Sequence, residues 1–346
     1  MHESDDRHGV MTPGIRGAVA SPAHRRGRAR WATLAAGAWS LAYAAAGLYW
    51  ASGGAGFPYG ESARARRMGA VLVGLDPRSA GTAVAVAGLA GAVAAAVAYR
   101  TPPSEGRRGL RGLAWSIGLV LLLLVPDGRV LLGVGELMLL DAGRLEAGVV
   151  NQLWCALGGV LWVCVAVLPR RRPSAITTED LRRGRRTTYV AAALPLLYAV
   201  PRLLWALGVT FGLDEETMAM AADPAGRTRE LVFGAAAAGG GLLTLGLTHR
   251  WGVRFPRMVP LLGGRRVPVT LAAVPAGLVS VVLVGAGFTM WRVPVAALLG
   301  TRLAGEAAFG IGNWAAWLGN LVWLPWGVML GLAVLAYTRR RKGTTG

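Results

Sequence analysis

The chain has 346 residues, of which 54% are hydrophobic and only 16% charged, and it carries a formal net charge of +19. This composition excludes an ordinary soluble globule and predicts an all-α, polytopic transmembrane helical bundle. Because the basic residues stand in short blocks between apolar runs, the charge reads as a topology signal in a lipid bilayer, with no nucleic-acid partner.

Residues 1–30 read as a disordered basic cytoplasmic tail ending in Arg25, Arg26, Arg28 and Arg30. The apolar run behind it is too long for a signal peptide and is expected to stay as a first crossing. Apolar runs near crossing length fall around 31–52, 81–99, 110–126, 149–169, 188–209, 230–248, 268–290 and 314–338, which predicts eight spans. They group as a four-helix unit over 31–172, a basic linker over 173–187, a second four-helix unit over 188–342 and a short tail over 343–346. Pro126-Asp127-Gly128 follows the third span and leads into Val130 to Leu140, too short a stretch to cross. That stretch, and residues 293–312 in the same slot later, read as interfacial or re-entrant segments.

With a cytoplasmic N-terminus, 26 Arg/Lys residues fall on the cytoplasmic side and ten on the other. The positive-inside rule then puts both termini in the cytoplasm, in a plasma-membrane protein. The second and sixth spans are richest in small residues, as in Gly88, Gly91 and Ala92 or Gly234, Ala238 and Gly239, and are expected at the crowded centre of the bundle.

The two units repeat each other. Tyr43-Ala44, Leu48, Trp50-Ala51 and Gly53 recur at the same spacing as Tyr198-Ala199, Leu203, Trp205-Ala206 and Gly208. Asn151, Trp154, Gly158, Leu161 and Val165 recur as Asn320, Trp323, Gly327, Leu330 and Val334. The chain has three Asn residues, so two in register carry more weight than any Ala or Leu match. Four helices per unit is an even number, which makes the repeat parallel about an axis along the membrane normal.

Candidate chemistry is sparse. His2, His8, His24 and His249 lie in the tail or at a membrane edge, which leaves no haem pair and no metal cluster, so no cofactor is expected. Cys155 and Cys164 share one helix about 13 Å apart, too far for a disulfide. No catalytic constellation or phosphate loop stands out, which argues against an enzyme.

Arg202 is the full charge deepest in a span, with Tyr198 and Trp205 on the same helix face. Its register partner is Gly47, between Tyr43 and Trp50, so one unit frames a cation with aromatics and the other frames a gap. The guanidinium could hold an anionic headgroup or carboxylate, or snorkel outward to Asp214, Glu215 or Glu216. Pro195 and Pro201 are expected to kink the same helix and open room for it. The matched Trp50, Trp205, Trp154 and Trp323 suit an aromatic belt at headgroup level. Asn151 and Asn320 suit helix capping or bridging. The loop His249 to Pro268 carries five Arg beside Trp251 and Phe255, and reads as lying on an anionic leaflet.

The Tyr-Ala…Leu-x-Trp-Ala-x-Gly element resembles the first helix of a family of uncharacterised four-helix bacterial membrane proteins. The segment WGVRFPRMVPLLGGRRVP resembles one found in actinobacterial membrane proteins. The likeness covers two short stretches per half and implies a tandem fusion of such units, with no activity attached. The functional expectation is binding or transport of a lipid-like or small anionic molecule between the units. Arg202, Tyr198, Trp205, Tyr43, Trp50, Asn151 and Asn320 are the candidate ligand-binding residues. The alternative is a non-enzymatic structural or regulatory scaffold that binds partner proteins, with Arg202 bonded to an outer-loop acid.

Overall fold

A computed structural model describes residues 22–68, 70–101, 108–130, 133, 146–167, 177–258, 263–300 and 310–343. Among these residues the chain is all-helical, with an isolated antiparallel bridge between Arg254 and Arg266. The long helices are α1 (Pro22–Ala51), α3 (Pro77–Arg100), α4 (Arg108–Leu119), α5 (Ala147–Val167), α6 (Thr178–Ala206), α8 (Pro224–Leu245), α9 (Val269–Leu298) and α11 (Trp323–Gly343). Short helices α2 (Ala63–Arg67), α7 (Glu215–Ala222) and α10 (Trp314–Leu321) stand between them. Five stretches are long and apolar enough to cross a membrane: α3, α5, α6, α9 and α10 run together with α11. The chain is therefore a membrane protein.

Several expected boundaries move. Helix α1 begins at Pro22, so the last nine residues of the expected tail are helical. Helix α6 begins at Thr178, inside the expected linker, because Thr177 and Asp180 form a reciprocal capping box that satisfies the first free N–H groups. Residues 293–298 continue α9 and are not a separate segment. The stretch Val130 to Leu140 lies mostly outside the described residues, as do residues 301–309.

The helices pair in the same order along both halves. Helix α1 packs on α3, α4 on α5 and α1 on α5, while α6 packs on α8, α9 on α11 and α6 on α11. The matched sequence element ends its helix identically each time. Gly53 (φ 92°) and Gly208 (φ 88°) take the left-handed turn that a side chain resists. Their N–H groups bond back to Trp50 and Trp205, and the next N–H groups reach Tyr49 and Leu204 at 2.9 Å.

Small residues set the α1–α3 spacing. A Cβ on Gly88 would sit 2.7 Å from the Ser40 carbonyl oxygen, and one on Gly47 would sit 2.5 Å from the Ala85 nitrogen. Such close backbone approach is how helices hold together where lipid supplies no hydrophobic drive. Yet α3 is not central. Its other face exposes Val86, Leu89, Val93 and Val97, so the glycines form a one-sided seam against α1. On α8, Leu231, Leu242 and Leu243 are exposed in the same way.

The halves meet elsewhere. Helix α4 runs on into a wider π turn, Val120–Leu124, which packs on α9. Thr289 of α9 donates to the Pro126 carbonyl at 2.7 Å, and Gly285 leaves room for the Leu122 carbonyl.

Candidate functional site

The first half closes one end of its bundle with a ring of hydrogen bonds. Tyr43 on α1, Asn151 on α5 and Tyr59 in the α1–α2 loop are all buried. Tyr43 donates to Asn151 Oδ1 (3.1 Å), Asn151 donates through Nδ2 to Tyr59 (2.9 Å), and the hydroxyls stand 2.7 Å apart. With the Tyr43 proton committed to Asn151, Tyr59 donates to Tyr43 and the circuit closes, each bond polarising the next. The Cys155 thiol donates to Tyr43 at 3.3 Å, so this cysteine is more than apolar filling. Burial pushes the Tyr59 phenol above its usual range.

Aromatic rings wall this cluster. Trp39 stacks on Tyr43 at 5.1 Å, Trp50 meets Tyr43 edge-on at 6.1 Å, and Phe57 bridges Trp50 to Tyr59. The Trp39 indole N–H is held by the Trp154 carbonyl at 2.9 Å. The position opposite Gly47 is no gap, since the α3 backbone at Gly81 and Ala85 occupies it.

The second half carries a different arrangement on the same frame. Arg202 lies over the Tyr198 ring at 4.4 Å, with Trp205 and Phe233 each at 5.7 Å. Its Nη1 donates to Glu230 Oε2 of α8 at 2.6 Å, and the two side chains are only 13% and 14% exposed. The partner of Arg202 is thus Glu230, and not Asp214, Glu215 or Glu216. Asp214 instead caps α7 through the Thr217 N–H, and its carboxylate bonds to the Asn313 amide. Helix α6 runs unbroken through Pro195 and Pro201.

Of the four tryptophans expected in an aromatic belt, Trp154 is the exposed one, at 39%. Trp205 is buried and donates to the Phe211 carbonyl, Trp323 is buried against Tyr198, and Trp50 is half-buried within the ring cluster. Asn320, the register partner of Asn151, has a buried Oδ1 without a hydrogen-bond partner.

A third polar cluster stands where the halves meet, and the sequence reading did not single it out. Asp127 and Arg129 are almost fully buried. Arg129 grips Asp127 through Nε (3.0 Å) and Nη2 (2.9 Å) and reaches Glu146 through Nη1 at 3.1 Å. Arg64 meets the other Glu146 oxygen at 3.2 Å, which ties α2 to the start of α5. Gln152 accepts from the Asp127 N–H, while its buried Nε2 has no partner. The signal available in the sequence was Asp-Gly-Arg directly after a proline, a tight turn that folds an Arg back onto its own Asp.

The candidate residues therefore form two separate groups. Tyr43, Trp50 and Asn151 belong to the first half's core, and Tyr198, Arg202 and Trp205 to packing within the second. No group of His, Cys, Asp and Glu suited to a metal occurs among the described residues. Comparison with protein-family models, with curated proteins and with solved structures finds no match for this chain.

Proposed function

We propose that this chain is a non-enzymatic membrane scaffold with eight spans, built from two fused parallel four-helix units with both termini cytoplasmic, in the plasma membrane. The observation that carries this reading is the fate of Arg202. The cation that an anionic ligand would need is already neutralised by Glu230 and boxed by three rings. A ligand would have to displace a short, desolvated ion pair to reach it, and such a pair gives way only to a better partner. The Tyr43–Asn151–Tyr59 circuit supports the same reading, because its donors and acceptors are spent on one another. Helix pairing common to both halves and the matched helix ends support the duplication.

In this role the outer polar clusters fix helix ends, while exposed apolar faces of α3 and α8 meet lipid or partner proteins. A thermal-stability screen of the detergent-purified protein tests it. Small carboxylates and anionic lipid headgroups should leave the parent and Arg202→Ala with the same ligand response, the variant simply melting lower. A carboxylate that stabilises the parent and not the variant would overturn the scaffold reading.

One observation favours the rival reading, a small-molecule site between the halves. The buried Gln152 Nε2 is an unspent donor beside Asp127, where the halves touch. Retention of a ligand response in Arg202→Ala, with its loss in Gln152→Leu, would move the assignment there.

A further inference from the structure

Between α8 and α9, the described residues 253–258 and 263–267 pair as two arms of a hairpin. Phe255 N–H bonds to the Arg265 carbonyl, Gly264 N–H to the Phe255 carbonyl and Val267 N–H to the Val253 carbonyl, each at 3.0 Å. The bridge sets Arg254 directly opposite Arg266. Side chains so placed stand about 5 Å apart at Cβ, and like charges there repel. Arg250, Arg257 and Arg265 add to them, and all five arginines are exposed. No Asp or Glu occurs anywhere from residue 231 to residue 305 to relieve them.

The base of the hairpin is fixed despite this repulsion. Tyr337 donates to the Gly252 carbonyl (2.9 Å), Arg341 to the Val267 carbonyl (2.8 Å) and Arg340 to the Leu247 carbonyl (2.6 Å). Gly252 packs so closely on the Gly246 backbone that no side chain fits there. Opposed positions on a hairpin whose base is fixed start both arginine side chains from one face, within reach of a single phosphate. On the first arm, Met258 is 91% exposed.

We infer that this hairpin binds anionic phospholipid headgroups, with a phosphate held between Arg254 and Arg266 and Met258 dipping into the leaflet. The occupant is lipid because the hairpin rises directly from the ends of α8 and α9, which on the membrane-spanning reading proposed above sets it at headgroup depth. The inference rests on that reading and sharpens it, since general positive-inside anchoring requires no particular pair of arginines.

The test is hydrogen–deuterium exchange of the full chain in nanodiscs of phosphatidylcholine, with and without phosphatidylglycerol. Anionic lipid should slow exchange over residues 253–267 by about tenfold, and raised salt should reverse this. The double variant Arg254→Gln/Arg266→Gln should lose that response while α5 and α9 stay as protected as in the parent. Met258→Ser should weaken the response without removing it. Equal exchange in the two lipids, with protected helices, would overturn the inference alone. Protection by inorganic phosphate or by an oligonucleotide in pure phosphatidylcholine would overturn lipid as the occupant. Fast exchange through every helix in both discs would overturn the membrane-spanning reading along with it.

Discussion

Gly47 and Arg202 hold the same place in the two halves, one turn past a Tyr-Ala pair and three residues before a Trp. What each meets across its helix pair differs completely. Gly47 meets the backbone of Gly81 and Ala85, where a Cβ would find atoms at 2.5 and 2.7 Å. Arg202 meets the carboxylate of Glu230. One pair of helices is joined by the absence of side chains, the other by two long ones that neutralise each other. The lesson is that matched helix order and matched helix ends leave the means of closing a seam free to differ. A charge deep in a span is here a packing solution whose counterpart is a glycine.

The comparison breaks first at the ion pair. Removing one member leaves a desolvated charge, so Arg202→Ala or Glu230→Ala should each destabilise by about 3–5 kcal/mol. Replacing both, as Arg202→Met/Glu230→Leu, should return to within about 1 kcal/mol of the parent, because the desolvation penalty disappears with the pair. Denaturant titration in mixed micelles measures this cycle. Additive losses in the double variant would mean that the two side chains act separately and that the pairing is incidental.

The glycine seam comes next. Gly47→Ala places a methyl against backbone atoms that cannot rotate away, so α1 and α3 must separate, at about 1–3 kcal/mol. Gly53→Ala fails for another reason, a left-handed φ of 92°, and should cost about 1 kcal/mol with the seam intact. A cross-link between engineered cysteines on α1 and α3 tells the two apart, since only Gly47→Ala should slow it.

The polar ring sharpens the contrast through the matched asparagines. Asn151→Ala strips a donor and an acceptor from the buried circuit and should cost about 1–3 kcal/mol. In Asn320 the Oδ1 is already unpartnered, so Asn320→Leu should be neutral or mildly stabilising. Equal melting shifts for the two variants would show that the register match is functional in both halves and not only in the first.

Much of this architecture was legible because hydrophobic periodicity and rare-residue repeats report helices directly. The Tyr43 and Tyr198 elements and the helical character of the apolar runs follow from local chemistry. What stayed hidden were partners chosen across space. Asp214, Glu215 and Glu216 lie nearer to Arg202 in the sequence than Glu230 does, and only the packing of α6 on α8 brings Glu230 to it. Tyr59 sits in a loop with no periodic signal, so its bond to Asn151, 92 residues away, could not be read from spacing. The small residues of α3 were legible as a seam but not as one-sided, since alanine abundance masks which face is buried.

Two helix caps give the smallest and most local form of the comparison. Asp76 caps α3 through the Ser79 N–H, and Asp214 caps α7 through the Thr217 N–H, but only Asp214 is also tied to a distant residue, Asn313. Hydrogen bonds from Thr217, then Asn313, hold the Asp214 carboxyl below the usual carboxylate range despite a small opposing effect of burial. Asp76 is lowered in the same direction by its bonds to Ser79. A depressed folded pKa means that the stabilisation is complete above the unfolded value, near 4, and fades as pH falls through the folded one. Melting curves between pH 7 and pH 3 should therefore drop slightly at the acid end for the parent, and less so for Asp76→Asn and Asp214→Asn. At pH 7 the two should separate, because Asp214→Asn also disturbs the tie that holds α7 to the turn before α10. Identical neutral-pH behaviour would mean that Asn313 contributes nothing beyond the cap, and that these loops of both halves are closed by local capping alone.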